Sequence, residues 1–417
     1  MKYLKSFICL MSFMVMVSWT VTGNAKEIVV GFTGPISGPA SEYGQDVLNG
    51  IDMAVKDLNA AGGIKVKGQT YTFRLEKLDD RLDPTQAVNN ARRFRANGAI
   101  AVWSPVFNCI APLMRINEEK GNEFLVMAYS ATPKVTALGN KLMVNVVGFP
   151  FTVLAQGLAE QAWQRGWRKV AMVITLGAYG DEWRQTFKGY WEKIGGTITI
   201  DKPANYYTET DFSSQLTAVL ATKPDAMIVG GPSAPTAMVI EQALGMGYKG
   251  GLILIDQAKM EDVARFIGGL KGLENAIGLA PPEVVPLPAS ASFAKRYLAA
   301  YKRPSNWEPI TTYTGMNALA RAIVAAGTVD DVVAIRAAFS KAFPMLGNQF
   351  PVEFHGISDV GRLYMFMSIC TVKGEKFSSP TSSVWWTKTA KEFEQVKKTT
   401  KLGMQLLPFK AKIGDVH

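Results

Sequence analysis

The sequence predicts an α/β protein of two similar lobes, each carrying a parallel-rich sheet. Three observations predict it. Short apolar runs alternate with amphipathic, helix-spaced stretches for most of the chain, as in sheets whose strands are joined by helices. One strand, loop, helix and double-glycine unit occurs twice, near Ile28–Gly63 and again near Val170–Gly196. The 417 residues also exceed what one compact core usually holds.

The first copy opens on Ile28–Phe32, an unbroken apolar run suited to a strand covered on both faces. The loop after it holds Gly34, Pro35, Gly38 and Pro39, with Ser37, Ser41 and Tyr43 as polar handles, and lets the backbone bend close to a bound molecule. Val47, Leu48, Ile51, Ala54, Val55 and Leu58 then recur at helical spacing until Gly62-Gly63 stops the helix. In open parallel sheets the crevice at the carboxyl ends of the strands takes small ligands, so this loop is the first candidate site.

Further along, Tyr71–Leu78 alternates as a strand and ends on Asp79-Asp80, and Asp83 is placed to cap a helix that starts at Pro84. Asp79 and Asp80 read as a solvated turn before that helix or as paired carboxylates. Ala99–Trp103 is the next strand, followed by the loop Ser104–Asn108 and a helix expected from Pro112. Phe124–Ala128 makes a fourth strand, opening into Tyr129, Ser130, Ala131, Thr132 and Pro133.

The second half repeats this order. Val170–Thr175 is a strand, Tyr179-Gly180 answers Tyr43-Gly44, a helix runs from Asp181 to Ile194, and Gly195-Gly196 stops it. Thr197–Ile200, Pro224–Val229 and Leu252–Ile255 follow as strands, the last ending on Asp256 and Gln257, with Asp211 expected to start a helix. Two copies of one topology suggest lobes whose strand ends face each other across a ligand cleft. Helices expected over Ala289–Tyr301, Tyr313–Ala326 and Val329–Ala342, then a strand-rich stretch Val352–Val372, have no counterpart and are read as completing the two lobes.

Residues 1–25 read as a secretory signal: Lys2 and Lys5 precede a mostly apolar run from Phe7 to Val17, and cleavage after Ala25 starts the mature chain at Lys26. No later stretch is long and apolar enough to span a bilayer. Cys109 and Cys370 remain, as a disulfide or as two buried thiols. The net charge of +10 is spread along the chain and its tail, with no basic motif interleaved with aromatics, so nucleic acid is not the expected partner.

Motifs for catalysis are missing. The chain has only His355 and His417, and His355, in EFHGISDVGR, reads as a turn or surface histidine more readily than as a general base. No CxxC pair, HExxH or GxxxxGK[ST] motif occurs, and GFTGPISG lacks the GxGxxG spacing, so neither a metal nor a cofactor is expected.

The stretches VGFTGPISGPASEYGQDVLNGIDMAVKDLNAAGGI, LDDRLDPTQAVNNARRF, SATPKVT, YGDEW and TDFSSQLTAVLATKPDAMIVGG, in that order, resemble the branched-chain amino-acid type of periplasmic solute-binding proteins, the receptors that feed ABC importers. The resemblance implies two Rossmann-like lobes joined by three crossovers that hinge around a solute, the type I periplasmic binding fold. It places the crossovers near 147–150, 279–283 and 354–358. It divides the chain into an N-terminal lobe of 26–148 plus 281–355, a C-terminal lobe of 149–280 plus 356–386, and a basic tail of 387–417, sketched as a short helix.

The same resemblance implies the site. Ser130 and Thr132 match the loop that holds an amino acid's polar groups, with hydroxyls suited to a carboxylate. Tyr43 matches a first-lobe residue against the ligand side chain, Tyr179 the second-lobe tyrosine that closes over it, and Asp256 the acid that binds an ammonium group; packing and capping are the alternatives. Val106, Phe107 and Asn108 stand where amino-acid binders carry small hydroxyl residues, Leu82 and Val106 where the family has a small disulfide, and Pro232 where some relatives have a tyrosine. With Phe107, Tyr129 and Trp103 nearby, Trp103 being equally readable as core, these departures widen the expected ligand to an aromatic or apolar carboxylate or an amide. The expectation is a periplasmic, monomeric, non-enzymatic receptor that hands a small solute to a membrane permease. The alternative is a sensor of the same fold that reports occupancy to a partner protein.

Overall fold

The computed structural model describes residues 26–38 and 40–409. The expected signal sequence, Pro39, His417 and the last residues of the tail lie outside the described residues.

The first sheet is built from β1 (Lys26–Gly34), α1 (Ser41–Ala60), β2 (Ile64–Val66), β3 (Gln69–Asp79), α2 (Pro84–Ala96), β4 (Ala99–Ser104), α3 (Phe107–Ile116), β5 (Leu125–Ala128), α4 (Lys134–Ala137) and β6 (Met143–Asn145). Its strand order is β2-β3-β1-β4-β5-β6, parallel except for the β2–β3 hairpin. From Ile28 onward β1 is buried, as its unbroken apolar run requires. Asp83 caps α2 through Thr85 N (2.7 Å) and Gln86 N (3.3 Å), with Pro84 in the first turn where its missing N–H costs nothing.

The second sheet follows through α5 (Phe151–Gln164), β7 (Lys169–Ile174), α6 (Ala178–Lys193), β8 (Thr197–Asp201), α7 (Ser213–Ala221), β9 (Ala226–Gly230), α8 (Ser233–Gly245), β10 (Gly251–Leu254), α9 (Met260–Phe266) and β11 (Ile277–Leu279). Its core order, β8-β7-β9-β10-β11, reproduces β3-β1-β4-β5-β6 strand for strand. The internal echo in the sequence is thus a repeat of topology.

The repeated Tyr-Gly pair has a steric cause. A Cβ at Gly44 would lie 1.9 Å from the Pro35 carbonyl oxygen, and one at Gly180 would lie 1.8 Å from that of Thr175. Each helix begins pressed against the end of the strand before it, and only glycine permits that approach. Each tyrosine is thereby held beside the strand ends.

The chain then forms α10 (Ser290–Tyr301), α11 (Trp307–Ala326) and α12 (Val332–Ala338). α11 packs along α1, with Thr312 Oγ1 donating to Val47 O at 3.0 Å, so these helices complete the first lobe. β12 (Met367–Thr371) extends the second sheet antiparallel to β11, and β13 (Thr381–Val384) pairs antiparallel with β12. α13 (Ala390–Thr399), closed by a Thr389–Glu392 capping box, leads to β14 (Leu406–Pro408), which pairs parallel with β13.

Several element limits differ from the sequence reading. α3 starts at Phe107, with Pro112 inside it, so Phe107 and Asn108 sit in a first helical turn and not in a loop. α11 starts six residues before Tyr313, because Pro309 falls in the first turn, where proline is tolerated. Phe212, not Asp211, is the residue before α7. The stretch expected to be strand-rich is mostly irregular from Val352 to Phe366 and contains one regular strand, β12. The tail adds a strand as well as the expected helix.

Cys109 and Cys370 are both free and buried, so the disulfide alternative fails. His355 is not at the surface: its side chain is 4 % exposed and its Nε2 lies 2.9 Å from Glu353 Oε2. Trp103 is fully buried core. Among the described residues no helix is long and apolar enough to cross a membrane.

Candidate functional site

The carboxyl ends of both sheets open into one cavity of about 300 Å3, within the range of small-molecule sites. From the first lobe come Tyr43 at the start of α1, Pro105–Asn108 after β4, and Tyr129–Thr132 after β5. From the second come Thr175–Tyr179 after β7, Glu182 on α6, Tyr207, and Asp256, Gln257 and Lys259 after β10. Trp307, Glu308 and Thr311 of α11 add to the wall, which Val147, Phe149, Leu279 and Met365 complete. All eight sequence-predicted residues, Tyr43, Phe107, Asn108, Tyr129, Ser130, Thr132, Tyr179 and Asp256, lie in this wall.

Much of the wall is apolar or aromatic. Tyr43 and Tyr129 stand with ring centres 6.2 Å apart, and the Tyr43 hydroxyl donates to Pro105 O at 3.0 Å. That bond fixes the ring against the loop after β4 and leaves its face to the cavity. Burial, and then the nearby carboxylates of Glu308 and Asp256, push the Tyr43 phenol well up, so it is a neutral donor.

The polar groups are mutually engaged. Tyr179 OH donates to Asp256 Oδ1 in a short hydrogen bond, and Trp183 Nε1 donates to the same oxygen at 3.0 Å. Burial pushes the Asp256 carboxyl up, while the Tyr179 bond and the Lys259 charge oppose that push. Tyr179 and Asp256 are therefore one unit, which separate readings of a lid and an acid did not anticipate.

On the opposite flank Thr132 Oγ1 donates to Glu182 Oε2 at 2.6 Å, and Lys134 Nζ lies 2.7 Å from Glu182 Oε1. Lys259 Nζ meets Glu308 Oε1 at 2.6 Å and stands 5.4 Å from the centre of the Tyr43 ring. Glu308 Oε2 is buried without a hydrogen-bond partner. Outside the cavity, Arg265 reaches Glu42 at 3.2 Å and Asn306 Nδ2 donates to Asp262 Oδ2 at 3.3 Å. Each of these contacts joins one lobe to the other, so the cleft is closed.

Lys259, Glu308, Glu182 and Trp307 escaped the sequence reading. Lys259 lies three residues beyond Asp256, in the same loop, and its proximity was the available signal. Glu308 and Trp307 follow Asn306, whose side chain caps α11 through Glu308 N at 3.2 Å, a helix start hidden by Pro309.

Asp79 and Asp80 do not reach the cavity. Asp79 accepts from Ile36 N (3.0 Å), Ser37 Oγ (2.5 Å) and Arg81 N (3.0 Å), and Asp80, fully buried, accepts from Thr33 Oγ1 (3.1 Å) and Leu82 N (3.0 Å). They brace the glycine loop after β1, so the solvated-turn reading holds for neither in full. Among the described residues no cluster could hold a metal ion.

A family model described as periplasmic binding protein matches residues 27–372. The chain belongs to the periplasmic binding protein family. Among curated relatives, the Leu/Ile/Val-binding protein BraC3 of Rhizobium johnstonii is 25% identical over 316 residues, 75% of this chain and 83% of that protein. A leucine binding protein of Thermotoga maritima superposes with a TM-score of 0.71 at 21% identity, covering 85% of this chain and 98% of its own. A solute binding protein from R. palustris, solved in complex with benzoate, gives 0.70 at 17% identity, covering 84% and 95%. The structural likenesses confirm the type I periplasmic binding fold expected from the motifs.

Proposed function

We propose that the protein is the solute receptor of an ABC importer, exported to the periplasm, that captures a small organic acid or related amide between its lobes and presents it to a membrane permease. The cavity walled by strand ends of both lobes carries this reading. A ligand there touches both lobes at once, so binding favours the closed arrangement over the open one.

Within that reading the Ser130 hydroxyl and the Thr132 main chain receive the carboxylate, since the Thr132 hydroxyl already donates to Glu182; Tyr43, Phe107 and Tyr129 pack on the ligand body, Asn108 supplies a polar contact, and the Tyr179–Asp256 unit closes from the second lobe. An amino acid would place its ammonium group at Asp256. The relatives named for leucine, isoleucine and valine, and the neighbour that holds benzoate, support a carboxylate on an apolar body. The family's character as binding proteins supports capture without turnover, and the receptor is taken to act as a monomer. The lobes divide as 26–148 with 281–355 and 149–280 with 356–386, hinged near 147–150, 279–283 and 354–358. That Val147 and Leu279 both line the cavity supports hinges at those two places.

The test is a thermal-shift panel on the refolded, ligand-free mature chain, spanning branched-chain and aromatic amino acids, aromatic carboxylates, amides and polyols. A true ligand at about a hundred times its Kd stabilises by roughly 2.7 kcal/mol and raises Tm. No shift across the panel would favour the sensor reading, and turnover of a bound solute would overturn capture alone.

A further inference from the structure

Behind the Ser130–Thr132 loop lies a buried cation that no ligand contact accounts for. Arg362 is 3 % exposed and does not line the cavity. Its guanidinium donates to Thr132 O (2.9 Å), Val147 O (3.1 Å), and Ser130 O and Phe149 O (3.5 Å each). All four carbonyls belong to residues of the cavity wall.

Among the described residues no carboxylate pairs with Arg362. Burial is the one influence on its titration and pushes it down to about 9, which leaves it a cation at neutral pH. Buried charges are ordinarily paired, and a guanidinium left with carbonyl dipoles alone keeps a net positive field in a low-dielectric wall.

The bonds also orient the loop. In a trans peptide the N–H points away from the carbonyl of the same unit. With Ser130 O turned to Arg362, the Ala131 N–H is turned from it, and both Ser130 and Ala131 line the cavity. Among the described residues neither that N–H nor Ser130 Oγ has a protein partner, whereas Asn145 Nδ2 fixes Ser130 O from another side at 2.8 Å. The loop thus holds two unpartnered donors in residues of the cavity wall, backed by a buried cation that pairs with no carboxylate.

We propose that Arg362 is the positioning residue that makes the Ser130–Thr132 loop a carboxylate subsite, by pinning its carbonyls away from the solute and supplying the charge that the solute's carboxylate neutralises. The proposal rests on the cavity being the solute site. It narrows the ligand to one that carries a carboxylate and excludes a neutral amide at that end.

Calorimetric titration of the mature chain with matched acid and primary-amide pairs tests it, using benzoate with benzamide, 4-methylpentanoate with 4-methylpentanamide, and leucine with leucinamide. Wild type should prefer the acid by about tenfold to a hundredfold in whichever pair binds, the scale of one charge-assisted contact. Arg362→Lys should keep most of that preference. Arg362→Met should lose it while holding its amide affinity, because a purely structural loss would weaken acid and amide alike. Equal loss of both in a folded Arg362→Met protein would overturn the proposal. If Arg362→Met does not fold, wild type alone decides, since amides bound as tightly as acids contradict the carboxylate subsite. That result leaves the receptor reading standing, whereas the absence of any binding across a wider solute panel would remove both.

Discussion

Lys259 and Glu308 form an ion pair 2.6 Å long, with side chains only 7 % and 5 % exposed, between the loop before α9 in the second lobe and the first turn of α11 in the first. The pair sits in the wall of the cavity and is made only when the lobes are together. Coulomb attraction opposes its desolvation cost, Glu308 Oε2 stays without a hydrogen bond, and removing one partner strands the other. Burial raises the Glu308 carboxyl, and the Lys259 charge opposes that rise.

Glu308→Ala should therefore destabilise the closed protein by roughly 3–5 kcal/mol, the usual cost of leaving one buried charge unpaired. Lys259→Met combined with Glu308→Leu should recover most of that loss. Urea unfolding of the single and double variants measures the difference. Equal stability of single and double variants would mean that the pair does not hold the lobes.

Tyr179→Ala should weaken solute binding by about tenfold or more while the chain stays folded, since it removes a ring from the cavity and leaves Asp256 one donor short. Titration calorimetry with circular dichroism as a fold control reads both. An affinity within about twofold of wild type, well under the cost of one buried hydrogen bond, would remove Tyr179 from the site.

The Tyr-Gly repeat gives a matched pair of predictions. Gly44→Ala and Gly180→Ala each force a Cβ against a backbone carbonyl, which cannot swing aside as a side chain would. Each should cost about 1–3 kcal/mol, as overpacking does, and displace the neighbouring tyrosine enough to weaken binding. Denaturant midpoints check the first effect.

Asp46 predicts a pH dependence. Burial pushes its carboxyl up to about 7, although Arg303 at 3.2 Å pulls the other way. A carboxyl raised in the folded state contributes stability that is full below the unfolded value near 4 and lost as pH rises towards about 7. Wild type should lose stability relative to Asp46→Asn across that window. The expected change is on the order of a few kcal/mol, at roughly 1.4 kcal/mol per pKa unit, read from Tm between pH 4 and 8. A difference that does not vary with pH would contradict the buried proton.

The large-scale plan was legible because it is written in patterns that depend on neighbouring residues. Unbroken apolar runs become central strands, double glycines such as Gly62 (φ 92°) and Gly63 (φ 78°) end helices in the left-handed region, and Tyr43-Gly44 and Tyr179-Gly180 mark two equivalent helix starts. The strand-end loops placed the eight candidate residues around one cavity. Glu308 was hidden by Pro309, which imitates a break but occupies a first turn. Arg362 was hidden more deeply: a single arginine in an irregular stretch reads as a solvated charge, and only its packing against the carbonyls of Ser130, Thr132, Val147 and Phe149 buries it. The mutual bonding of Tyr179 with Asp256, and of Thr132 with Glu182, joins residues 77 and 50 positions apart, and no local pattern encodes such pairings.

The most direct test of the central claim is small-angle X-ray scattering on the ligand-stripped mature chain before and after addition of a solute found in the thermal-shift panel. Closure of the two lobes around a cavity ligand predicts a smaller radius of gyration with solute present, and no such change in Tyr179→Ala at the same solute concentration. Saturable binding with an unchanged radius of gyration would contradict closure on the cleft.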